Sequence, residues 1–299
     1  MTAAAEGSAS LAARRRRSGK ALLQSESFQG LALISPTLLY ALVLLVTPIL
    51  VVIAHSFWSQ HYLTIDRTFT LTEPIYRDLL WRSLTISLLV SLFTVVLAYP
   101  IAYFISFHGG RRKGLWLFLI TIPFWTSYLL RVMSWKVILG YNGVLNSALM
   151  GLGITSEPST ALLYNSSAVI ITLTHAWAAF AILPIFVSLE KVDRTLVEAA
   201  TDLGDGPLRS FLRVTLPLSA PGVISALLIV MIPTVGDYVT PKLVGGKDGV
   251  MIANAIQAQF GKAANWPLGA ALSVTTMVVV SLMAGAAVFI IRSAVRLAR

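Results

Sequence analysis

The chain contains no cysteine and has unusually little charge. Only 12% of its 299 residues are Asp, Glu, Lys or Arg, whereas a soluble globular domain carries about 25%. The absence of cysteine excludes a disulfide-stapled secreted module, thiol catalysis and thiolate metal sites. Intrinsic disorder is excluded as well, because it requires low hydrophobicity and dense charge, and 56% of this chain is hydrophobic.

The charge that is present is mostly positive. The chain has 23 Lys and Arg against 13 Asp and Glu, which gives a formal net charge of +10. In a soluble protein such a balance indicates nucleic-acid binding. In so hydrophobic a chain it favours a membrane protein whose cations lie mainly on one side of the lipid bilayer. No nucleic-acid partner is therefore expected.

Membrane spans are predicted from stretches without charge, because a charged group is costly at the bilayer centre and a crossing takes about 20 apolar residues. Five such stretches are 23 to 39 residues long. A sixth is weaker, since Arg131 and Lys136 interrupt it, although both side chains can reach a membrane face. The predicted spans are 31–54, 83–107, 114–139, 168–189, 216–236 and 268–291.

Orientation is predicted from the distribution of Lys and Arg. With the N-terminus inside, 15 of the 23 lie on the cytoplasmic side and 8 on the opposite side. The sequence thus predicts an all-α membrane protein with six transmembrane helices, N-in and C-in. Cytoplasmic tails over 1–30 and 292–299 flank a transmembrane domain over 31–291. The basic run that begins at Arg14 is interpreted as an orientation signal.

The predicted cytoplasmic segment 190–215, between spans four and five, has the pattern of folded structure. Apolar residues from Leu196 to Leu203 recur at helical spacing. Gly204 is placed to end this helix in the left-handed conformation, and Pro207 suits the first turn of a second helix. Periodicity alone leaves two interpretations open: an amphipathic hairpin on the lipid surface, or a helix–Gly–helix unit that another protein grips.

A motif in this segment consists of Glu198, Ala199 and Ala200, then Gly204, then Val214-x-Leu216-Pro217. It resembles the EAA loop of bacterial ABC importer permeases, which usually has isoleucine at the position of Val214. In that family the loop is the coupling helix that docks into the ATPase subunit. The resemblance implies that Glu198 and Asp202 offer charge-assisted bonds to this partner. It also implies that the small Ala199 and Ala200 permit close approach and that Gly204 sets the turn.

Two further stretches narrow the resemblance. Pro123-Phe-Trp-Thr-Ser-Tyr-Leu-Leu-Arg131, followed by Asn142-Gly-Val-Leu-Asn146, is similar to the third-span region of spermidine/putrescine permeases of the PotB/PotH type. The segment from Gly236 to Gly246 is similar to the one after their fifth span. Related permeases for opines and other small organic solutes carry similar stretches, so polyamines and opines both remain candidate substrates.

The resemblance implies a multi-pass subunit of the bacterial cytoplasmic membrane without catalytic residues or a cofactor of its own. ATP and Mg are expected on a separate ABC ATPase dimer. The other expected partners are a second, related permease chain and an extracytoplasmic solute-binding protein. In agreement, the sequence lacks the GxxxxGK[ST] phosphate loop and the HExxH metal motif.

A candidate substrate pathway is predicted on the outer side from Trp125, Tyr128, Arg131, Asp237 and Tyr238. Aromatic faces and a carboxylate suit a transient amine cation. The alternative is that the aromatic residues form the interfacial belt of any membrane protein, and Arg131 argues against a tight cation site. His175 is interpreted as a hydrogen-bonded residue of the helix bundle.

Two rival functions remain from other classes. An ion- or proton-coupled secondary transporter would need ionisable groups at the membrane midplane, and the five clear spans contain no Asp, Glu, Lys or Arg. A membrane-bound regulator that holds a soluble partner through the segment 190–215 stays open from the sequence alone. ATP-dependent uptake separates both from an ABC permease.

Overall fold

Every regular element is helical in the part of the chain that the structure, a computed structural model, describes, namely residues 26–58 and 73–297. The predicted all-α class is thereby confirmed. In chain order the α-helices are α1 Glu26–Trp58, α2 Pro74–His108, α3 Lys113–Thr121, α4 Tyr128–Ile138, α5 Val144–Gly151, α6 Ser166–Leu189, α7 Arg194–Asp202, α8 Pro207–Ser210, α9 Leu216–Val235, α10 Val239–Val244, α11 Ile252–Gly261 and α12 Trp266–Leu297.

Five helical stretches among these residues are long and apolar enough to cross a membrane. A sixth crossing is obtained if the bent pair formed by α3 and α4 is counted as one span. The predicted multi-span membrane protein is therefore confirmed, with five to six spans. The five continuous stretches are Leu33–Ser56, Pro74–His108, Ser166–Leu189, Pro207–Val235 and Trp266–Ala294.

The third predicted span, 114–139, is not one straight helix. After α3 a 3-10 turn covers Ile122–Trp125, and α4 then leaves at an angle of 85°. Pro123 accounts for the end of α3, because proline has no N–H to continue the α-helical hydrogen bonds. Thr126 follows in an extended conformation, with φ −75° and ψ 154°. The chain thus changes direction directly before Tyr128.

The fifth span begins earlier than the predicted residue 216. A π-helical turn, Phe211–Thr215, joins α8 to α9, so that Pro207–Val235 is one continuous apolar helix. Pro217 accounts for this turn, because it cannot donate an N–H to the preceding turn. The N–H of Leu216 bonds instead to the Phe211 carbonyl, five residues back. The second helix of the segment 190–215 is therefore part of the fifth span.

The helices α2, α6 and α9 pack against one another and form the main core of residues 56–299. Small residues bring their backbones close, as is common between membrane helices. Gly222 of α9 shows how close: a Cβ there would lie 2.6 Å from the Pro184 carbonyl oxygen of α6. Close packing of these three helices gives the bundle a rigid centre, from which the remaining elements extend.

The first and last helices of the described residues extend beyond the predicted spans. The first helix begins at Glu26, inside the predicted tail 1–30, and the last continues to Leu297, inside the predicted tail 292–299. The basic run at Arg14 lies outside the described residues. The side chains of α1 that are described are mostly exposed, as suits a helix whose surface meets lipid or another subunit.

Candidate functional site

Tyr128 and Asp237 are hydrogen-bonded to each other although they lie 109 positions apart in the chain. Tyr128 begins α4 after the bend, and Asp237 follows the end of α9. The Tyr128 hydroxyl donates to Asp237 Oδ2 at 2.6 Å, and its oxygen lies 2.6 Å from Thr240 Oγ1. Asp237 Oδ1 accepts from the backbone N–H of Val239 at 2.9 Å. The carboxylate is thus fixed by both the third span and the start of α10.

Thr240 takes part in this site although it was not among the predicted residues. It is fully buried, and its backbone N–H also approaches Asp237 Oδ1, at 3.4 Å. The Asp-x-x-Thr spacing is a signal that could have found it, because aspartate commonly accepts from N–H groups a few positions on. The contact of its hydroxyl with Tyr128 depends on the packing of the third span against α10 and could not be read from the sequence.

Arg131 has no acidic partner among the described residues. Its guanidinium carbon lies 4.7 Å from the ring centroid of Phe124, which is a cation–π distance. The Nε and Nη1 atoms are buried and have no hydrogen-bond partner in residues 26–58 and 73–297. None of the ion pairs in this part of the chain includes Arg131. The site therefore contains a carboxylate and a guanidinium that do not neutralise each other by direct contact.

Half-buried aromatic rings adjoin these charged groups. The ring centroid of Trp177 lies 6.4 Å from that of Tyr128. Trp135 Nε1 donates to His175 Nδ1 at 3.0 Å, so the hydrogen-bonded role predicted for His175 is confirmed. The rings thus contact other residues of the bundle, in contrast to a belt that only faces lipid. Trp177 was not predicted to take part, and its position in α6 gives no sequence signal beyond its residue type.

Two predicted pathway residues stay apart from this cluster. Trp125 is 74% exposed and contacts the edge of Phe118 at 5.7 Å between centroids. Tyr238 is 43% exposed, and its carbonyl accepts from Asn254 Nδ2 at 2.8 Å. Within the described residues neither shares a hydrogen bond or ring contact with Tyr128. The structure therefore brings Tyr128 and Asp237 together, with Arg131 one helical turn away, and leaves Trp125 and Tyr238 outside.

At the other end of the bundle, the start of α7 is tied to the end of α2. Asp193 caps α7 by accepting from the Thr195 N–H at 3.0 Å. Hydrogen bonds from the backbone and the side chain of Thr195 lower the pKa of Asp193. Arg194 donates to the Ser106 carbonyl oxygen at 3.1 Å, and its guanidinium carbon lies 5.3 Å from the Phe107 ring centroid. The orientation of α7 relative to α2 is fixed by these contacts.

Glu190, between α6 and α7, binds two further elements through one oxygen. Its Oε1 accepts from Ser106 Oγ at the end of α2 and from Lys113 Nζ at the start of α3, both at 2.6 Å. Burial acts to raise the pKa of Glu190, but the hydrogen bonds from Lys113 and Ser106 and the nearby charges outweigh it and lower the pKa. The side chain is therefore ionised at neutral pH, and these three helix ends meet at one carboxylate.

The end of α7 has the glycine turn expected from the sequence. Gly204 has a φ of +91°, a region open to glycine and strained for other residues. The N–H groups of Gly204 and Asp205 bond back to the carbonyls of Thr201 and Ala200 at 2.9 and 3.0 Å. This is the Schellman arrangement. An ion pair between Asp205 and Arg213, at 3.2 Å, then links the turn to the helix that continues into the fifth span.

The surface of α7 and of the following turn combines carboxylates with exposed leucines. Leu203 is 89% exposed and Leu208 is 70% exposed. The Glu198 and Asp202 side chains form no ion pair within the described residues. Such a surface can be covered by a partner protein or by lipid headgroups. Of the predicted coupling residues, Glu198, Ala199, Asp202 and Gly204 are exposed, Ala200 and Leu216 are half-buried, and Pro217 is buried.

No metal site is formed by the residues that the structure describes. Among 26–58 and 73–297, no three His, Asp or Glu side chains come together as possible ligands. The Tyr128–Asp237 cluster has one carboxylate, which is too few oxygen ligands to hold a divalent cation by itself. Its chemistry is that of a polar, aromatic lining.

Comparison with known proteins places these features in a family. Residues 9–297 match the family described as binding-protein-dependent transport system inner membrane component. The spermidine/putrescine transport system permease protein PotB of Escherichia coli K12 is 39% identical over 220 residues, which cover 74% of this chain and 80% of PotB. PotB of Salmonella typhimurium SL1344 is 36% identical over 267 residues, covering 87% and 92%.

Solved structures show the same fold. One chain of a bacterial ABC transporter involved in the import of the acidic polysaccharide alginate matches with a TM-score of 0.69 and 17% identity, covering 93% of this chain and 99% of that chain. A second alginate transporter structure, in complex with a periplasmic protein that holds an alginate pentasaccharide, matches equally well, with 19% identity. The chain belongs to the binding-protein-dependent transport system inner membrane component family and is the permease component of an ABC importer.

Proposed function

We propose that this permease passes a polyamine, putrescine or spermidine, from an extracytoplasmic solute-binding protein into the cytoplasm. The observation that carries the proposal is the similarity, at 36–39% identity over most of the chain, to permeases that transport spermidine and putrescine. The lining around Tyr128 and Asp237 supports it, because a carboxylate beside aromatic rings attracts an alkylammonium group.

The same lining favours passage over tight binding. Asp237 is already hydrogen-bonded by Tyr128 and by the backbone of α10, so an arriving amine competes with existing partners. The positive charge of Arg131, which has no acidic partner within the described residues, opposes a second cation close by. We therefore assign selection of the solute chiefly to the binding protein, and to the permease a weak, brief contact during translocation.

A second candidate solute is an opine or another small molecule that carries both an amine and a carboxylate. The observation that favours it is Arg131, whose buried Nε and Nη1 atoms lack an acceptor within the described residues. A carboxylate of the solute would supply one, since guanidinium binds carboxylates through paired N–H groups. The two candidates differ in whether loss of Arg131 is harmful or beneficial.

Energy for transport comes, in this proposal, from an ABC ATPase dimer that binds ATP and Mg, with a second permease chain completing the pathway. The segment 190–215 serves as the coupling loop, with α7 docking into a groove of the ATPase. Glu198 and Asp202, which form no ion pair within the described residues, and the exposed leucines suit a protein partner. The glycine turn keeps the two helices at a fixed angle. The binding protein seen with the alginate relative is consistent with such an assembly.

The test is uptake into proteoliposomes that contain the whole importer, with labelled putrescine, spermidine and octopine compared in the presence and absence of ATP. We expect ATP-dependent uptake of a polyamine, and an Arg131→Gln variant that retains it. Octopine uptake that is lost in Arg131→Gln identifies the second candidate. Uptake that needs an ion gradient and no ATP would instead establish a secondary transporter.

Orientation in the bacterial cytoplasmic membrane is testable because the chain has no cysteine. Single-cysteine variants can therefore be labelled without background. We expect Thr201→Cys, in α7, to react with a membrane-impermeant maleimide only from the cytoplasmic side, and Ser156→Cys only from the outside. Both positions are exposed, so lack of access within the chain does not complicate the result. The reverse pattern contradicts the N-in, C-in topology.

A further inference from the structure

The helix α7 is connected to the bundle at both of its ends. At its start, an anchor formed by Ser106, Lys113, Glu190 and Arg194 joins it to the end of α2 and the start of α3. At its end, the ion pair of Asp205 with Arg213 joins it to the helix that becomes α9. A displacement of α7 therefore acts on two different spans at once.

The two spans lead to the same place. From Lys113, the chain runs through α3 and the bend to Tyr128. From Arg213, it runs through the π turn and α9 to Asp237. The ends of these two routes are joined by the hydrogen bond from the Tyr128 hydroxyl to Asp237 at 2.6 Å. A closed circuit of helices thus connects the surface of α7 with the polar cluster at the opposite end of the bundle.

The bond at the far end of this circuit is sensitive to small movements. The donor and acceptor of an O–H···O hydrogen bond lie about 2.5–3.0 Å apart, so a relative shift of less than 1 Å takes this bond out of its range. The angle of 85° between α3 and α4 makes the position of Tyr128 depend on the tilt of α3. The packed core of α2, α6 and α9 does not deform continuously, which favours two discrete arrangements over gradual bending.

We propose that Glu190 is a positioning residue that links α7 to α3, so that movement of α7 opens and closes the hydrogen bond between Tyr128 and Asp237. This inference rests on the proposed coupling function of α7. Glu190 is the critical member of the anchor because a single oxygen, Oε1, accepts from both Ser106 and Lys113. Without its charge, the ion pair with Lys113 is lost and α3 is held to the start of α7 only by a weaker hydrogen bond. The attachment of α9 through Asp205 and Arg213 is unchanged.

The experiment compares ATP hydrolysis with putrescine uptake in the complete reconstituted importer. Replacing Glu190→Gln keeps the size of the side chain and removes its charge, and Lys113→Met removes the partner. We expect each change to raise the ATP hydrolysed per putrescine imported by about fivefold or more, the lower end of allosteric coupling. Because both break the same link, the double variant should be no worse than either single one.

A double-mutant cycle with Tyr128→Phe tests whether the far end of the circuit is the target. Tyr128→Phe removes the donor to Asp237 and should itself raise the ATP cost of uptake. If Glu190 acts through this bond, adding Glu190→Gln to Tyr128→Phe has little further effect, since coupled residues are not additive. Effects that multiply fully would show that Glu190 acts elsewhere and would overturn the proposal.

A matched control is the exposed ion pair of Arg77 with Asp78, at the opposite end of α2. Arg77→Gln and Asp78→Asn should leave the ratio of ATP hydrolysed to putrescine imported unchanged.

If Glu190→Gln prevents assembly, Ser106→Ala is a milder variant, because it leaves the ion pair of Lys113 with Glu190 in place. It should raise the ratio to a smaller extent. Ratios equal to wild type in Glu190→Gln, Lys113→Met and Ser106→Ala contradict the proposal. Absence of ATP-dependent uptake in the wild type contradicts the proposed function instead.

Discussion

The surface of α7 and the cluster around Tyr128 and Asp237 are built in opposite ways. The candidate residues of α7 follow one another within a short segment, and its carboxylates Glu198 and Asp202 make no ion pair within the described residues. The residues of the cluster come from distant parts of the chain and are hydrogen-bonded to one another. The α7 surface is held by its own backbone and presents side chains outward. The Tyr128–Asp237 cluster forms only because two spans pack together.

Because the two regions are built differently, substitutions on the α7 surface and substitutions in the polar cluster should have different effects on stability and function. A change on an exposed surface alters the free energy of unfolding by only about 0.5 kcal/mol, so loss of function there reports on a missing partner. A change in a hydrogen-bonded, half-buried group alters both the local structure and its chemistry, since a bond to a charged group contributes about 1.5–3 kcal/mol. The two regions are therefore distinguished by measuring stability, ATPase assembly and uptake on the same variants.

The largest effect is expected from reversing a charge on α7. Glu198→Lys places a cation where we propose a charge-assisted contact with the ATPase, and loss of such a pair costs about 2–5 kcal/mol. We expect at least about 30-fold weaker association with the ATPase and loss of ATP-linked uptake, with normal insertion into the membrane. Co-purification and uptake measure the two. Glu157→Lys, another exposed carboxylate, serves as the control and should bind the ATPase normally; normal uptake by Glu198→Lys contradicts the coupling assignment.

A smaller loss of uptake is expected from a substitution in the glycine turn at Gly204. Gly204→Val forces a β-branched residue to adopt a φ of +91°, which costs about 2 kcal/mol and shifts the turn between α7 and α8. We expect uptake to fall about tenfold or more. Gly206→Ala is the matched control, because Gly206 has a φ of −68° and open space around its Cβ position. Equal activity of both variants would show that the turn geometry is unimportant.

A several-fold decrease in the rate of uptake is expected from a substitution in the polar cluster around Tyr128 and Asp237. Asp237→Asn keeps the shape of the side chain and removes the charge that we propose attracts the amine. We expect about fivefold slower putrescine uptake, equivalent to roughly 1 kcal/mol, with unchanged association of the ATPase. The initial rate of uptake over a range of putrescine concentrations measures this. A variant that transports putrescine like the wild type shows that the carboxylate only positions α10.

The smallest effect on the stability of the permease is expected from substitution of an exposed leucine. Leu203→Ser changes a side chain that is 89% exposed, so the melting temperature of the isolated permease should stay within about 2 °C of wild type. If the ATPase covers this surface, its association should weaken by a few-fold, since apolar burial contributes about 25 cal/mol per Å². A large drop in the stability of the isolated permease would place Leu203 inside the fold.

The spans were largely predictable because hydrophobic runs and the cost of buried charge depend on local sequence. The bend in the third span had a partial signal in Pro123, but its size of 85° depends on where α4 packs. The continuity of the fifth span was missed because prolines such as Pro217 resemble a helix start. The π turn that accommodates Pro217 is visible only when the neighbouring helices fix its backbone.

The candidate functional residues also divide into those that local sequence predicts and those that it does not. The turn at Gly204 was predictable, since glycine and its neighbours form hydrogen bonds within six residues of one another. The assembly of Tyr128, Asp237 and Thr240 was only partly predictable, and Trp125 and Tyr238 were grouped with them on residue type alone. The three-way contact of Glu190 was not predicted, because Ser106 and Lys113 lie far from it in the chain.

The all-α membrane class, the approximate positions of the apolar spans and the helix–Gly–helix segment could be predicted from local sequence. Each of these depends on interactions between residues close in the chain, or on the free energy of placing a residue in lipid. The contacts between distant side chains, Tyr128 with Asp237 and Glu190 with Lys113, arise from helix packing. Such meetings depend on the angles and register at which α2, α3, α6 and α9 pack, and no local pattern specifies those.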